Sequence, residues 1–140
     1  MAELRIVSPT VIAVLASADA IDALRVRAGA TMCRVAPWEA LVIGGSDLSP
    51  ADVAVDEQGA IVEAVSDGWA AYELAGDDAR EAFARLCELE PPQDGFIQGA
   101  VARIGAKVLV TPGRVTILVA AMLGAFVEER IRTDCAELLA

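Results

Sequence analysis

Histidine is absent from this 140-residue sequence, and its absence narrows the chemistry that the chain can perform. Histidine is the most frequent general base and the most frequent metal ligand in proteins. Without it, Ser-His-Asp and Cys-His catalysis and His-ligated zinc sites are excluded within this chain. Catalysis by carboxylates alone remains conceivable, but it is a much narrower class. We therefore assign no catalytic and no metal-binding residue from the sequence.

Positive charge is also scarce. The chain has 11 basic and 21 acidic residues, a formal net charge of -10 and a pI near 4.3, and Lys107 is its single lysine. Nucleic-acid contacts require clustered Lys and Arg, and anionic membrane surfaces attract the same residues. We therefore expect neither nucleic acid nor a membrane among the partners.

Long hydrophobic runs are missing as well, although 56% of the residues are apolar. The longest run, VTILVAAMLGAFV (115–127), is shorter than the roughly 20 residues that a bilayer requires. The first residues, MAELRIVSP, lack the basic start and apolar centre of a signal peptide. These observations predict a soluble, cytoplasmic protein.

Motifs for cofactors and metals are few. The three cysteines, Cys33, Cys87 and Cys135, form no CxxC pair and are expected to be buried, reduced thiols. The acidic segment 46–59 lacks the D-x-D-x-D-G spacing of a calcium loop. The glycines of GFIQGAVARIGAK (95–107) do not form GxGxxG. No cofactor is expected in this chain, and cofactor-binding residues stay unknown.

What is present is a repeated order of elements. The length suits one domain, 1–140, with halves at about 8–45 and 60–140 joined by the polar loop 46–59. Each half reads strand–helix–strand–strand, and a last amphipathic helix follows the second. This order predicts an α+β fold: a mainly antiparallel sheet sandwich with packed helices.

In the first half, the apolar segment 10–17 predicts a strand and Asp19 is the expected cap of a helix reaching about Ala28. Segments 30–37 and 39–45 then predict a hairpin. The side chains expected to face inward from this hairpin are Met32, Val35, Leu41 and Ile43.

In the second half, segment 60–76 predicts a strand, and a helix capped by Asp77 or Asp78 is expected to run to about Leu89. Segments 99–113 and 114–122 predict two strands around a Pro-Gly turn. Between the first strand and the helix, Gly76 is expected to supply a backbone with positive φ. A phosphate site at this turn is disfavoured, because the two aspartates occupy the place of an anion.

Three segments carry a family resemblance. SDGWAAYELAGDDAREAFARL (66–86) resembles a sequence block of the glycine-cleavage T-protein, and more closely the equivalent block of the gamma subunit of heterotetrameric sarcosine oxidase. CRVAPWEALVIGG (33–45) resembles a strand pair of those gamma subunits, and segment 95–131 resembles their closing hairpin and helix. Where the T-protein block has a histidine, this chain has Asp67.

The resemblance implies a fold like the T-protein folate-binding domain. It further implies a small subunit of a heteromeric flavoenzyme that oxidatively demethylates an N-methyl amine such as sarcosine. Because catalytic motifs are missing from the chain, we expect this subunit to be non-catalytic. Its partners would be larger flavoprotein subunits, and FAD, FMN, NAD and tetrahydrofolate would be bound through those other chains. The alternatives are a free-standing tetrahydrofolate-binding protein of the same superfamily and an unrelated α+β domain that forms a homodimer.

Two tryptophans are the candidate partner-interface residues. Trp38 lies in the first hairpin and Trp69 begins the second half's first strand, and tryptophan is enriched at binding hot spots. Partial burial against the domain's own core is the alternative for each. Glu63 and Asp67, near Trp69, are either an acidic pocket for an amine or pterin ring, or solvated charges.

Overall fold

Residues 1–140 are all described by a computed structural model. Their contacts divide them into two units: unit 1 contains 1–8 and 68–140, and unit 2 contains 9–67. Segment 46–59, predicted to join two halves, lies within unit 2. The single domain spanning 1–140 stays a prediction, and each unit is described by itself.

Unit 1 is built on a five-stranded antiparallel sheet in the order β1-β8-β11-β10-β9. Its strands are β1 (Glu3–Val7), β8 (Trp69–Ala75), β9 (Gly95–Val101), β10 (Ile104–Thr111) and β11 (Arg114–Ala120). The central strand, β11, is rich in buried Val, Ile and Leu side chains, and its neighbour β8 buries Ala71, Tyr72 and Leu74.

Two helices of unit 1, α2 (Ala79–Ala84) and α3 (Gly124–Asp134), pack against β8 and β11. Phe83 from α2 and Ile131 from α3 are fully buried in the resulting core, beside Leu74 and Ile117 of the sheet. The amphipathic helix predicted at the end of the second half is therefore present, with its apolar side chains in this core. None of the helices is long and apolar enough to cross a bilayer, the longest having 11 residues.

Unit 2 contains a four-stranded antiparallel sheet in the order β4-β5-β2-β7 and a two-stranded pair, β3 with β6. The strands are β2 (Thr10–Leu15), β3 (Arg25–Val26), β4 (Thr31–Ala36), β5 (Glu39–Gly44), β6 (Val53–Ala54) and β7 (Ile61–Ala64). One short helix, α1 (Ala18–Asp22), packs its Ile21 into a core with Ile12 and Val42.

The α+β class with antiparallel sheets is confirmed, and so is the first hairpin, whose turn lies between β4 and β5. Of its four predicted inward side chains, Leu41 and Ile43 are buried and Val35 is half-buried. The prediction for Met32 is wrong. Its side chain is 37% exposed, because it lies on the edge strand β4, which has a neighbouring strand on one side only.

The helices predicted after Asp19 and after Gly76 are both shorter than expected. The first helix begins after Ser17, whose hydroxyl oxygen accepts a hydrogen bond from the Ala20 amide, and it ends at Asp22. Ser17 is therefore the cap, and Asp19 is not. In the second, Asp78 occupies the cap position, but its carboxylate forms no cap hydrogen bond and lies 3.2 Å from the Met1 amino group. The residues that follow Asp22 and Ala84, which the sequence pattern included in the two helices, are not helical.

Two segments that were each predicted to form one strand contain two strands in the structure. Segment 60–76 contains β7 and β8, which belong to different units and are separated by a 3-10 turn at Ser66–Gly68. Segment 99–113 contains the end of β9, a two-residue turn at Ala102 and Arg103, and β10. Neither Ala nor Arg is a usual turn residue, so no turn was predicted there.

Candidate functional site

The two predicted interface tryptophans differ in exposure. Trp38 lies at the turn between β4 and β5 in unit 2 and is 61% exposed. Its apolar ring therefore covers little of its own core. Trp69 begins β8 in unit 1, opposite Ala120, and is half-buried. Of the two, Trp38 has the exposure that a partner-binding aromatic side chain requires; the role of each stays a prediction.

The Trp69 ring lines a shallow hollow on the unit 1 sheet. Small residues, Gly105 and Ala106, form part of the hollow, and Lys107 borders it with its ammonium 2.6 Å from the Gln98 side-chain oxygen. An open hollow of this kind suits the side chain of another molecule better than an enclosed ligand. It remains a surface feature without a catalytic group.

The acidic residues considered from the sequence do not form a pocket. Glu63 on β7 and Asp67 in the following 3-10 turn are both exposed. Asp47 and Asp52 lie instead 2.9 and 3.5 Å from the guanidinium of Arg27. Arg27, which lies outside segment 46–59, thus compensates these two carboxylates, and the exposure of Glu63 and Asp67 favours solvated charges over an acidic pocket.

The cysteine thiols are buried and unpaired, as predicted. Burial raises the pKa of the Cys33 thiol to about 12, which keeps it protonated at neutral pH. Burial also raises the pKa of the Cys135 thiol, and this sulfur lies 3.2 Å from the Ala82 carbonyl oxygen, to which it donates. Thiols in this state are poor nucleophiles, because the thiolate is the reactive form.

A cavity of about 750 Å³ in unit 1 was not anticipated from the sequence. It lies where the end of α2, the β9–β10 turn and α3 meet. Charged lining comes from Arg85, Arg103 and Arg130, together with Glu88 and Asp134. Aliphatic, small and aromatic side chains, with Phe126 the largest, form the rest. The Ala-Arg turn brings Arg103 to this place, and its two residues carry no turn signal that sequence reasoning could have used.

Comparison with known proteins bears mainly on the fold. No known protein family matches the chain by its sequence profile, and no curated protein matches it. Among solved structures, it superposes on a chain of the heterotetrameric sarcosine oxidase from Corynebacterium sp. U-96, in complex with pyrrole 2-carboxylate, with a TM-score of 0.80 at 17% identity. The superposition covers 97% of this chain and 84% of that one. The two chains share a fold.

The resemblance drawn from the three sequence segments is therefore confirmed at the level of the fold. A second structure, aspartokinase III of E. coli in complex with lysine and aspartate, aligns over 94% of this chain and 32% of its own. Its TM-score of 0.38, at 17% identity, is too low to indicate a common fold. The sarcosine oxidase chain, matched over most of both lengths, is the informative neighbour.

Proposed function

We propose that this chain is a non-catalytic, gamma-like small subunit of a heteromeric flavoenzyme that oxidatively demethylates an N-methyl amine such as sarcosine. The observation that carries the proposal is the superposition at TM-score 0.80 over 97% of the chain on a chain of heterotetrameric sarcosine oxidase. Because that match spans 84% of the neighbour, it concerns nearly a whole subunit and not a shared fragment.

The residues favour a supporting role over a catalytic one. The chain has no histidine, and its three thiols are buried. In the proposed complex, larger flavoprotein subunits would bind FAD, FMN, NAD and tetrahydrofolate and perform the chemistry. The small subunit would stabilise their arrangement. The proposal further takes the fold to be that of the T-protein folate-binding domain, without folate contacts from this chain.

Exposed apolar side chains supply the expected means of association. Trp38 is 61% exposed in unit 2. In unit 1, Met122 is 89% exposed and lies in the 3-10 turn Ala121–Leu123, just before α3. Large apolar and aromatic side chains of this kind are enriched in the buried centres of interfaces. A partner that covers them would remove this apolar surface from water.

The decisive experiment is purification of the tagged chain from its own cells, followed by size determination, mass spectrometry and a flavin absorbance scan. The proposal predicts stoichiometric recovery of a large yellow partner. Trp38→Ala is expected to weaken recovery of that partner by about tenfold or more, a hot-spot effect. Ile61→Ala, which truncates another exposed apolar residue of unit 2, is the matched control and is expected to retain it.

A colourless chain recovered alone would contradict the proposal. Titration of the isolated chain with tetrahydrofolate would then separate the two alternatives. Saturable binding would support a free-standing folate-binding protein, and a flat titration together with a dimeric mass would support a homodimer without a small ligand.

A further inference from the structure

The cavity of unit 1 has the size and lining of a small-molecule site. At about 750 Å³ it falls within the range of ligand pockets, roughly 300–1,000 Å³. Its apolar lining includes Leu86 and Leu89 from the segment after α2, and Phe126 from α3. Both Leu89, at 46%, and Phe126, at 48%, are more exposed than core residues of their size. Their apolar surface is available for contact with a ligand.

The charges of the cavity leave one cation uncompensated. Arg130 has a carboxylate partner in Asp134 at 2.6 Å, and Arg85 has one in Glu137 at 3.6 Å. Arg103 lines the same cavity without an ion pair or side-chain hydrogen bond. Glu88 is the remaining acidic residue of the lining, and no ion pair joins it to Arg103. In a chain with a net charge of -10, an unpaired arginine at a concave site is a marked local feature.

The turn that brings Arg103 to the cavity has a strained backbone. Ala102 and Arg103 have φ of 51° and 69° and form a two-residue turn between β9 and β10. Such turns normally carry Asn-Gly or Gly-Gly, since a left-handed conformation is unfavourable for residues with a Cβ. The Ala102 amide donates a 2.7 Å hydrogen bond to the Leu86 carbonyl, which fixes the turn over the cavity. A strained, unpaired arginine at this point is more readily explained by binding than by stability.

We propose that this cavity binds a small organic monocarboxylate, whose carboxylate pairs with Arg103 and whose apolar body packs against Phe126 and Leu89. A single negative charge suits the site, because Glu88 and Asp134 would repel a second one. A guanidinium matches a carboxylate with two parallel hydrogen bonds, and this gives the site its preference for an acid over its amide. The site requires no partner chain, so it is independent of the proposed function.

The test is an NMR titration of the full chain with 3-phenylpropanoate, using 3-phenylpropanamide as the uncharged counterpart. We expect saturable shifts at the amides around the β9–β10 turn and the start of α3, with a dissociation constant of about 1 mM or lower. The amide is expected to bind about tenfold more weakly, since it loses the charge-assisted pair. No shift at these positions, or equal affinity for acid and amide, would overturn the proposal.

Variants separate binding from folding. Arg103→Gln is expected to weaken binding of the acid by about tenfold while leaving binding of the amide unchanged. Arg103→Gly is expected to weaken binding of the acid to the same extent. It should also raise the melting temperature, because glycine relieves the strained turn. Arg132→Gln is the matched control: this arginine of α3 pairs with Glu128 at 3.2 Å and does not line the cavity. An equal loss of acid binding in Arg132→Gln would refute the assignment to Arg103.

Discussion

Glu73 lies on the interior strand β8, between β1 and β11, with only 12% of its side chain exposed. The guanidinium of Arg5, directly opposite on β1, lies 3.2 Å away, and that of Arg114 on β11 lies 3.6 Å away. A nearly buried carboxylate is costly unless cations compensate it. The three strands are thus joined by one charge cluster as well as by their backbone hydrogen bonds.

Replacing this carboxylate by an amide tests the cluster. Glu73→Gln keeps the side-chain shape but removes the charge that faces both guanidinium groups. We expect the free energy of unfolding to fall by about 1–2 kcal/mol, as for a charged hydrogen bond with half-exposed partners. Chemical denaturation measures it. Glu3→Gln, at an exposed partner of the same Arg5, is the control and should leave stability unchanged within error; an equal loss would contradict the role of burial.

Glu57 introduces a pH dependence into unit 2. Its carboxylate accepts the Ser17 amide at 2.8 Å, at the start of α1, and hydrogen bonding to Ser17 lowers the pKa of Glu57 below its ordinary value of 4.5. The stabilisation is therefore fully present above pH 4.5 and is lost as the pH falls through the lowered pKa. We expect an NMR titration to give a midpoint below 4.5 for Glu57.

Removal of the carboxylate provides the control for this titration. In Glu57→Gln, the part of the stability loss that occurs below pH 4.5 and belongs to Glu57 should disappear. A midpoint at or above 4.5 in the native chain would contradict the hydrogen bond to the Ser17 amide.

The Cys33 thiol should be chemically silent in the native protein. It is fully buried, and burial raises its pKa to about 12, so little thiolate exists at neutral pH. We expect iodoacetamide to label Cys33 only at the rate of unfolding, which mass spectrometry of the digested protein would report. Labelling that is fast in buffer and insensitive to added denaturant would show that the thiol is accessible.

At the scale of elements, the turn from β8 toward α2 depends on Gly76. Its φ is +114°, and a Cβ added there would lie 2.7 Å from the Met1 carbonyl oxygen. Gly76→Ala therefore combines backbone strain with a clash against backbone, and we expect a loss of about 2–3 kcal/mol in the free energy of unfolding. Denaturant unfolding of the purified variant measures the loss.

Gly113 offers the matched control for this substitution. Its φ is +74° in the β10–β11 turn, and no atom lies within 4 Å of an added Cβ. Gly113→Ala should therefore incur the strain alone, about 1 kcal/mol. Equal losses in the two variants would mean that the contact with Met1 contributes nothing.

Elements with strong local signals were predictable, and those set by distant neighbours were not. The strand at Thr10–Leu15 and the Pro-Gly turn before Arg114 follow from β-branched residues and turn chemistry. The break at Ala102 and Arg103 does not, because strand pairing forces a conformation that neither residue prefers. The candidate cavity site depends on that break, so reading along the sequence could not reveal it.

At the scale of the whole molecule, the two units have cores of different extent. The unit 1 cluster contains eighteen buried residues from strands and helices, and the unit 2 cluster contains seven. Opening free energy follows buried apolar contact, so the smaller core should open more readily. We expect native-state hydrogen exchange to show a lower opening free energy for the Val42 amide of unit 2 than for the Ile117 amide of unit 1.

Paired core truncations turn this expectation into a test of independence. Ile12→Ala creates a cavity in unit 2 and should lower protection at Val42 by about 2–5 kcal/mol, with a smaller change at Ile117. Phe83→Ala does the same in unit 1, by about 3–5 kcal/mol at Ile117. If each truncation lowers the opening free energy of both amides equally, the chain unfolds as one cooperative body. The difference between the two cores then does not control its opening.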